Sequence, residues 1–413
     1  MAVSAESLTV PASVSSTHRD QRAYRLTSID MLRGLVIVVM VLDHVRDFFL
    51  ADLDVNFMDD PAVSPVLYAT RWITHFCAPV FVFLAGTSAG LMVLRKTPTE
   101  LARFLASRGI WLILVEIFVI ATAYSFAPFG SPGFGGKVFI SLQVIWAIGA
   151  SLLVLAACQF LGRGKCLVLG AVIVLGHNAL DFVWPTPDSF APAATPLWVA
   201  LHARFREAFG GFYIQFLYPL LPWAGVMLCG FGASTVFELP AQRRQRALRI
   251  AGVAMITAFV ALRLADVYGD PNHWQSQPAG GLRTFLDFMN VTKYPPSLAY
   301  LLATLGPAAL VCAQAERWNG WIKDQFVMLG RVPFAFYAVH FFLIHALAVS
   351  LGVLQGFPAA SFFDVYYFFP KGYGVPLWGV YLVWMLVIAL LYPWARYVAG
   401  VKARSRAWWL SYV

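Results

Sequence analysis

Charged residues are scarce in this sequence: they make up 12% of the 413 residues, whereas hydrophobic residues make up 60%. Soluble globular domains carry about 25% charged residues. Together with a mean hydropathy of +0.69, this scarcity excludes an ordinary soluble domain and predicts a polytopic membrane protein. The formal charge of +9 comes from short basic clusters between apolar stretches. Because these clusters form no single stripe or tail, nucleic-acid binding is not indicated.

Cysteine and metal-ligand patterns are also missing. The five cysteines lie within or beside apolar stretches, with no CxxC pair and no histidine at metal-ligand spacing. We therefore expect neither a disulfide framework nor a metal site. The first 24 residues lack the apolar run and the cleavage site of a secretory signal. We interpret residues 1–24 as a disordered cytoplasmic tail and residues 25–413 as one transmembrane domain.

Long apolar segments are abundant, and ten of them reach the roughly 17–25 residues that a helix needs to cross a bilayer. When the N-terminal tail is placed inside, most Lys and Arg residues outside the helices fall in inside segments, as the positive-inside rule requires. The sequence therefore predicts an all-α protein with both termini in the cytoplasm. The predicted spans are 29–50, 72–94, 108–126, 138–161, 166–184, 212–237, 248–268, 297–314, 326–354 and 375–399.

The first predicted helix is unusual because it carries charge near both ends. The stretch "SIDMLRGLVIVVMVLDHVRDFF" has Asp30 and Arg33 near its start and Asp43, His44 and Asp47 near its end. A charge at mid-membrane depth costs about 2.5–3.5 kcal/mol on insertion scales, so such groups normally face the bundle interior or water. Snorkelling of these side chains to the two membrane surfaces is the alternative interpretation.

Helical geometry places the polar groups on one stripe. Arg33 and His44 lie within about 20° of the same face and roughly 16 Å apart along the axis. Asp30 is positioned to pair with Arg33, and Asp47 is positioned to orient the His44 imidazole. The spacing therefore predicts two partnered polar sites on one helix, at two membrane depths.

Three stretches resemble a known family. "SIDMLRG" followed by "LDH" resembles the Arg-x10-His signature of the transmembrane acyltransferase superfamily, which includes the acyltransferase-3 proteins. "APVFVFLAGTSAGLMV" and "LGRVPFAFYAVHFFLIHALAV" look like those of bacterial relatives of heparan-α-glucosaminide N-acetyltransferase. The resemblance implies a multi-pass enzyme of the cytoplasmic membrane that transfers an acyl group, usually acetyl, from cytoplasmic acetyl-CoA to an extracytoplasmic acceptor. The acceptor is often a sugar. The resemblance does not decide between N- and O-acylation. It also leaves the oligomeric state open, and a dimer is one possibility.

The resemblance also implies roles for individual residues. Arg33 is the expected contact of the acyl-CoA phosphates, since guanidinium binds phosphate oxygens bidentately. Arg331, which lies outside the Arg-x10-His signature, is expected either to contact the cofactor or simply to lie at the membrane interface. His44 is the expected base or transient acyl carrier. Asp47, or else Asp43, would orient His44.

Two further histidines are candidates for the substrate site. The lysosomal glucosaminide enzymes place a catalytic histidine in the loop after the first helix, whereas acyltransferase-3 proteins have it at the position of His44. In this sequence that loop has no histidine before His75, so His75 is the second candidate for the base. The alternative for His75 is an interfacial histidine bonded to a backbone carbonyl. His340 is expected either to line the pore or to form a structural hydrogen bond with another helix.

A proton-coupled transporter is the main alternative function. In that interpretation Asp43, His44 and Asp47 would form a proton relay within the membrane. Transporters commonly contain internal repeats, and the sequence shows none by inspection. An inactive relative acting as a scaffold is a third possibility, but it would make the spacing of Arg33 and His44 a coincidence.

Overall fold

The computed structural model describes residues 27–51, 58, 60, 63–182, 196–202, 205–405, 407 and 410. The predicted cytoplasmic tail, residues 1–24, lies outside the described residues. The described part of the chain is a bundle of helices. In chain order they are α1 (Thr27–Phe49), α2 (Pro65–Ile73), α3 (Cys77–Met92), α4 (Pro98–Val115), α5 (Ala121–Ser125), α6 (Val144–Cys158), α7 (Arg163–Gly176), α8 (Pro196–Leu201), α9 (Leu220–Ala233), α10 (Ala241–Ala265), α11 (Gly281–Phe288), α12 (Leu298–Ala315), α13 (Trp321–Leu329), α14 (Pro333–Leu354) and α15 (Leu377–Arg404).

Nine helical segments in the described residues are long and apolar enough to cross a membrane. They correspond to nine of the predicted spans and confirm a multi-pass, mainly α-helical membrane protein. The remaining predicted span is α1, whose charged residues keep it out of this set. At 23 residues it is about 35 Å long, enough for a bilayer core of ~30 Å. It packs against α3, α12, α13, α14 and α15, so the charged helix lies inside the bundle.

A small sheet departs from the all-α expectation. It contains β1 (Val138–Leu142), β2 (Phe205–Phe209) and β3 (Phe212–Phe216), in the order β1-β3-β2. β1 is parallel to β3, and β2 is antiparallel to β3. Two predicted spans began within this sheet, at positions 138 and 212. Those runs are rich in aromatic and β-branched residues, which favour strands, and the helices that follow begin only at α6 and α9.

The predicted span 326–354 is divided in the structure. α13 ends at Leu329 and α14 begins at Pro333, because proline suits the first helical position, where no N–H is needed. Arg331 therefore lies in the turn between two helices, and not inside one helix as the apolar run suggested.

Close packing of α1 on α13 brings this turn to the first helix. A Cβ atom added to Gly330 would lie 1.7 Å from the Asp30 carbonyl oxygen, and one added to Gly34 would lie 1.9 Å from the Phe326 carbonyl oxygen. Only glycine permits backbones to approach this closely. As a result Arg331 lies beside the Asp30 end of α1.

Candidate active site

A cavity of about 380 Å³ lies beside α1, within the ~300–1,000 Å³ typical of small-molecule sites. Its walls are mostly apolar side chains of α3, α4, α6 and α14. Four cationic side chains also line it, and they come from four separate parts of the chain. These residues are Arg33, Arg108, Arg331 and Lys402. An apolar pocket with this concentration of positive charge suits a ligand that has both an anionic group and an uncharged arm.

Asp30 holds two of these cations together. Its carboxylate lies 3.4 Å from the guanidinium of Arg33 and 3.8 Å from that of Arg331. Arg33 also donates hydrogen bonds to the Leu84 carbonyl oxygen, at 3.1 Å, and to the Ser88 hydroxyl. The structure thus contains the expected Asp30–Arg33 pair and brings Arg33 and Arg331, the two predicted cofactor contacts, to one cavity.

A histidine pair lies further along α1. His44 Nδ1 is 2.6 Å from His340 Nε2, and the ring centroids are 4.9 Å apart. His340, on α14, is fully buried. The sequence suggested these two histidines separately, one as a base and the other as a substrate contact or structural residue. Packing of α1 against α14 joins them in a direct hydrogen bond.

The partners of His340 determine which nitrogens carry protons. His340 Nδ1 contacts the carbonyl oxygen of Tyr337, and a carbonyl can only accept, so Nδ1 must carry the hydrogen. In a neutral imidazole the other nitrogen of His340 is then an acceptor, which requires His44 Nδ1 to donate. The hydrogen-bond network therefore assigns the free lone pair of a neutral His44 to Nε2. This is the arrangement of a base that is oriented by a partner.

Tyr337 connects the cavity with the histidine pair. Its side chain lines the cavity, and its ring centroid is 6.4 Å from that of His44 and 5.2 Å from that of His340. Tyr337 is only 4% exposed, and its hydroxyl has no hydrogen-bond partner within the described part of the chain. A buried polar group without a partner costs about 1–3 kcal/mol. Sequence patterns gave no signal for this residue, since tyrosine is common in membrane helices.

Asp47 does not make the contact expected of it. Its carboxylate lies 2.6 Å from the guanidinium of Arg46, and the described contacts of His44 do not include it. Arg46 is the next residue before Asp47, and a guanidinium binds a carboxylate more strongly than a neutral imidazole does. The orienting contact on His44 is therefore made by His340.

Asp43 is likewise engaged by cations. It lies 2.7 Å from Arg46, 3.2 Å from Arg71 and 3.5 Å from Lys293, and it accepts a hydrogen bond from the Thr74 hydroxyl at 2.8 Å. This network ties α1 to α2 and to the segment before α12. Arg71 and Lys293 were not predicted as site residues, because sequence alone does not show that a loop lysine is buried.

His75 lies in a short 3-10 turn, Thr74–Phe76. Its Nδ1 donates to the Arg71 carbonyl oxygen at 3.1 Å, and its own carbonyl accepts a hydrogen bond from the Tyr300 hydroxyl at 2.8 Å. Its described contacts do not reach His44. The role of His75 as a second base or substrate contact stays a prediction.

The fold and this site define a multi-pass membrane protein with a basic cavity beside a buried histidine pair. Residues 25–264 match the family model described as heparan-alpha-glucosaminide N-acetyltransferase, catalytic. The match covers more than half of the chain, which therefore belongs to this family of membrane acetyltransferases. The family resemblance is confirmed. A search of curated proteins found no match. The family match supports an acetyltransferase and lends no support to the transporter alternative.

The matched region has a boundary that matters for the site. It includes Arg33 and His44 but ends before Arg331, Tyr337 and His340. The latter three residues are brought to the site by the fold. Arg331 and His340 were already candidates in the sequence, whereas Tyr337 is added by the geometry of α14 alone.

Proposed function

We propose that the protein transfers an acyl group, acetyl in the first instance, from acyl-CoA on the cytoplasmic side to a sugar amine or hydroxyl on the extracytoplasmic side of the cell membrane. Family membership supports the acetyltransferase class. The observation that carries the finer proposal is the hydrogen-bonded pair of His44 and His340 next to a cavity lined by four cations.

The cavity suits the acyl-CoA donor. Arg33 and Arg331, held by Asp30, together with Arg108 and Lys402, provide charge for the phosphate groups, and guanidinium can bind phosphate bidentately. The apolar side chains of α3, α4 and α6 pack against the uncharged pantetheine arm. That arm then carries the thioester toward Tyr337 and the histidine pair.

His44 acts as the base in this proposal. As the acceptor attacks the thioester carbonyl carbon, its N–H or O–H proton moves to Nε2 of His44, while Nδ1 stays bonded to His340. The new C–N or C–O bond forms, the C–S bond breaks, and CoA leaves as the thiolate. An acyl-histidine route would use the same Nε2 atom as nucleophile, so both routes need the same tautomer of His44.

The proposal requires a defined topology. Residues 25–413 would act as one transmembrane domain. Residues 1–24 would lie on the cytoplasmic side, and the cavity would open to that side. Reporters fused just before α10, whose first turns hold the basic residues 243–249, should then be cytoplasmic, and reporters within residues 52–64 should be extracytoplasmic. If both reporters lie on one side, the proposed topology is wrong.

Label transfer tests the function. Membranes containing the protein would be given acetyl-CoA labelled in the acetyl group, and extracytoplasmic glycans would be released and analysed. We expect label on the glycan with the wild-type protein and with His273→Ala, an exposed histidine in an outer loop, but not with His44→Ala. Alkaline treatment separates esters, which lose label, from amides, which keep it. Absence of label with the wild-type protein, or equal label with His44→Ala, would contradict the proposal.

A further inference from the structure

The unbonded hydroxyl of Tyr337 sets this residue apart from buried tyrosines such as Tyr300 and Tyr68. Tyr300 donates to the His75 carbonyl oxygen at 2.8 Å, and Tyr68 donates to the Leu286 carbonyl oxygen at 2.6 Å. The Tyr337 hydroxyl is buried without a partner in the described residues, and Tyr373 is the other tyrosine recorded there in this state. Buried polar groups are normally hydrogen-bonded. Because Tyr337 is also one of the residues that line the cavity, its unbonded donor is available to an acceptor atom on a ligand.

The position of Tyr337 narrows the choice of ligand atom. Tyr337 lines the cavity, and the centroid of its ring lies 6.4 Å from that of His44 and 5.2 Å from that of His340. Reacting atoms must come within about 3–3.5 Å of each other for transfer, so the thioester carbonyl must lie near the nucleophile that His44 deprotonates. The amide carbonyls of the pantetheine arm lie further from the reacting carbon. Of the carbonyl oxygens of acyl-CoA, the thioester oxygen is therefore the one bound nearest to the histidine pair and to its neighbour Tyr337.

We propose that the Tyr337 hydroxyl donates a hydrogen bond to the thioester carbonyl oxygen of bound acyl-CoA and stabilises the negative charge that develops there, which makes Tyr337 a catalytic residue. This inference rests on the proposed acyl transfer and deepens it.

The reaction step balances without another reactant. The acceptor nitrogen or oxygen bonds to the carbonyl carbon, and the π-electron pair moves to the carbonyl oxygen, which the Tyr337 O–H holds by a hydrogen bond. The acceptor proton moves to Nε2 of His44. When the carbonyl re-forms, the C–S bond breaks and its electron pair leaves on the CoA sulfur. Tyr337 keeps its proton throughout, so it acts by electrostatic stabilisation.

The backbone of α14 fixes the tyrosine for this role. The carbonyl oxygen of Tyr337 accepts the hydrogen bond from His340 Nδ1, so one residue contributes to the histidine pair through its main chain and to the cavity through its side chain. α14 also packs against the π-helical turn Glu116–Ile120. A substitution that removes only the hydroxyl leaves both of these contacts in place.

The test compares Tyr337→Phe with Tyr373→Phe in the full-length protein reconstituted in lipid. Both variants lose one buried, unbonded hydroxyl, but Tyr373 lies in the segment after α14 and does not line the cavity. Acetyl-CoA labelled with ¹³C at the carbonyl serves as the probe. The measurements are its dissociation constant, the infrared stretching frequency of the bound carbonyl, the transfer rate, and the melting temperature.

For Tyr337→Phe we expect the transfer rate to fall by about 10²–10³, the loss typical of one oxyanion donor. The dissociation constant should change little, and the melting temperature should be equal to or higher than that of the wild type. The carbonyl stretch should lie lower in the wild-type protein and in Tyr373→Phe than in Tyr337→Phe, because a hydrogen bond weakens the C=O bond. A merely structural tyrosine would lower the melting temperature and leave the carbonyl frequency unchanged.

The inference is overturned if Tyr337→Phe retains near-normal transfer, or if the carbonyl frequency is the same in both variants. In either case wild-type transfer would still support the proposed function. If the wild-type protein itself neither binds acetyl-CoA nor transfers the label, the proposed function fails, and the role of Tyr337 fails with it.

Discussion

The two ends of α1 hold their charges in different ways. At one end, Asp30 positions Arg33 and Arg331 at the wall of a cavity, and the Arg331 side chain is 44% exposed. At the other end, His44 pairs with a fully buried histidine, and the nearby Asp43 and Arg46 are buried as well. The first end is open to a ligand and the second is closed around a hydrogen-bond network.

This difference indicates a division of labour along one helix. An open set of cations can bind an anionic ligand, whereas a buried histidine with a fixed tautomer is suited to moving a proton. Changes at the first end should therefore alter affinity, and changes at the second end should alter the rate. The separation of roughly 16 Å between Arg33 and His44 leaves room for an extended pantetheine arm between the two functions.

The largest expected effect is that of His44→Ala. Loss of a general base costs about 10²–10⁴ in rate, so transfer should fall by that factor while acyl-CoA binding stays within about twofold of wild type. Single-turnover kinetics and equilibrium binding on the reconstituted protein measure the two quantities, with His273→Ala as the control. A near-normal rate would exclude His44 as the base and make His75 the preferred candidate for that role.

His340→Ala should have the next largest effect, a loss of ~10–100-fold, by analogy with the loss seen when the partner that orients a metal-binding histidine is removed. The double variant of His44 and His340 should be no slower than His44→Ala alone, because residues acting as a unit are not additive. Two independent losses that multiply would show that the histidines do not act together.

Arg33→Lys tests the binding end. Lysine keeps the charge but loses the planar fork of donors, and a hydrogen bond to a charged group contributes about 1.5–3 kcal/mol. We expect the dissociation constant for acyl-CoA to rise about tenfold or more, with the rate at saturation nearly unchanged. Arg95→Lys, in the exposed turn after α3, is the control. A fall in the rate at saturating acyl-CoA without a change in affinity would contradict the proposed division of α1 into a binding end and a catalytic end.

Asp47→Asn should have the smallest effect. Asp47 contacts Arg46 and not His44 in the described structure, and Arg46 keeps a second carboxylate partner, Asp43 at 2.7 Å, when Asp47 loses its charge. The transfer rate should therefore fall by less than about fivefold. A loss as large as that of His44→Ala would mean that Asp47 orients the base after all.

Sequence reasoning succeeded where contacts are local. Segment length and hydropathy located the membrane helices, and the spacing of three residues between Asp30 and Arg33 identified their ion pair. These features depend on helical periodicity, which is visible in the sequence. The same reasoning failed for Asp47, because helical spacing does not show whether its carboxylate binds the guanidinium of Arg46 or the imidazole of His44.

Features set by tertiary packing were not predictable in the same way. His340 is 296 positions from His44, and nothing in either helix shows that α1 and α14 are neighbours. The small sheet was also missed, since short runs such as Val138–Leu142 were joined to the apolar helix that follows. The turn at Arg331 depends on Pro333 and on the close approach at Gly330, and the apolar run alone predicted one continuous span there.

The central claim is that α1 connects a donor site on one side of the membrane with chemistry on an acceptor from the other side. Proteoliposomes of defined orientation test this claim most directly. Labelled acetyl-CoA would be confined to the side of the Arg33 cavity, and a sugar amine acceptor to the opposite side. Our account predicts that the acceptor becomes labelled across the membrane with the wild-type protein, and that His44→Ala binds acetyl-CoA without transfer. Labelling only when donor and acceptor share one side would contradict it.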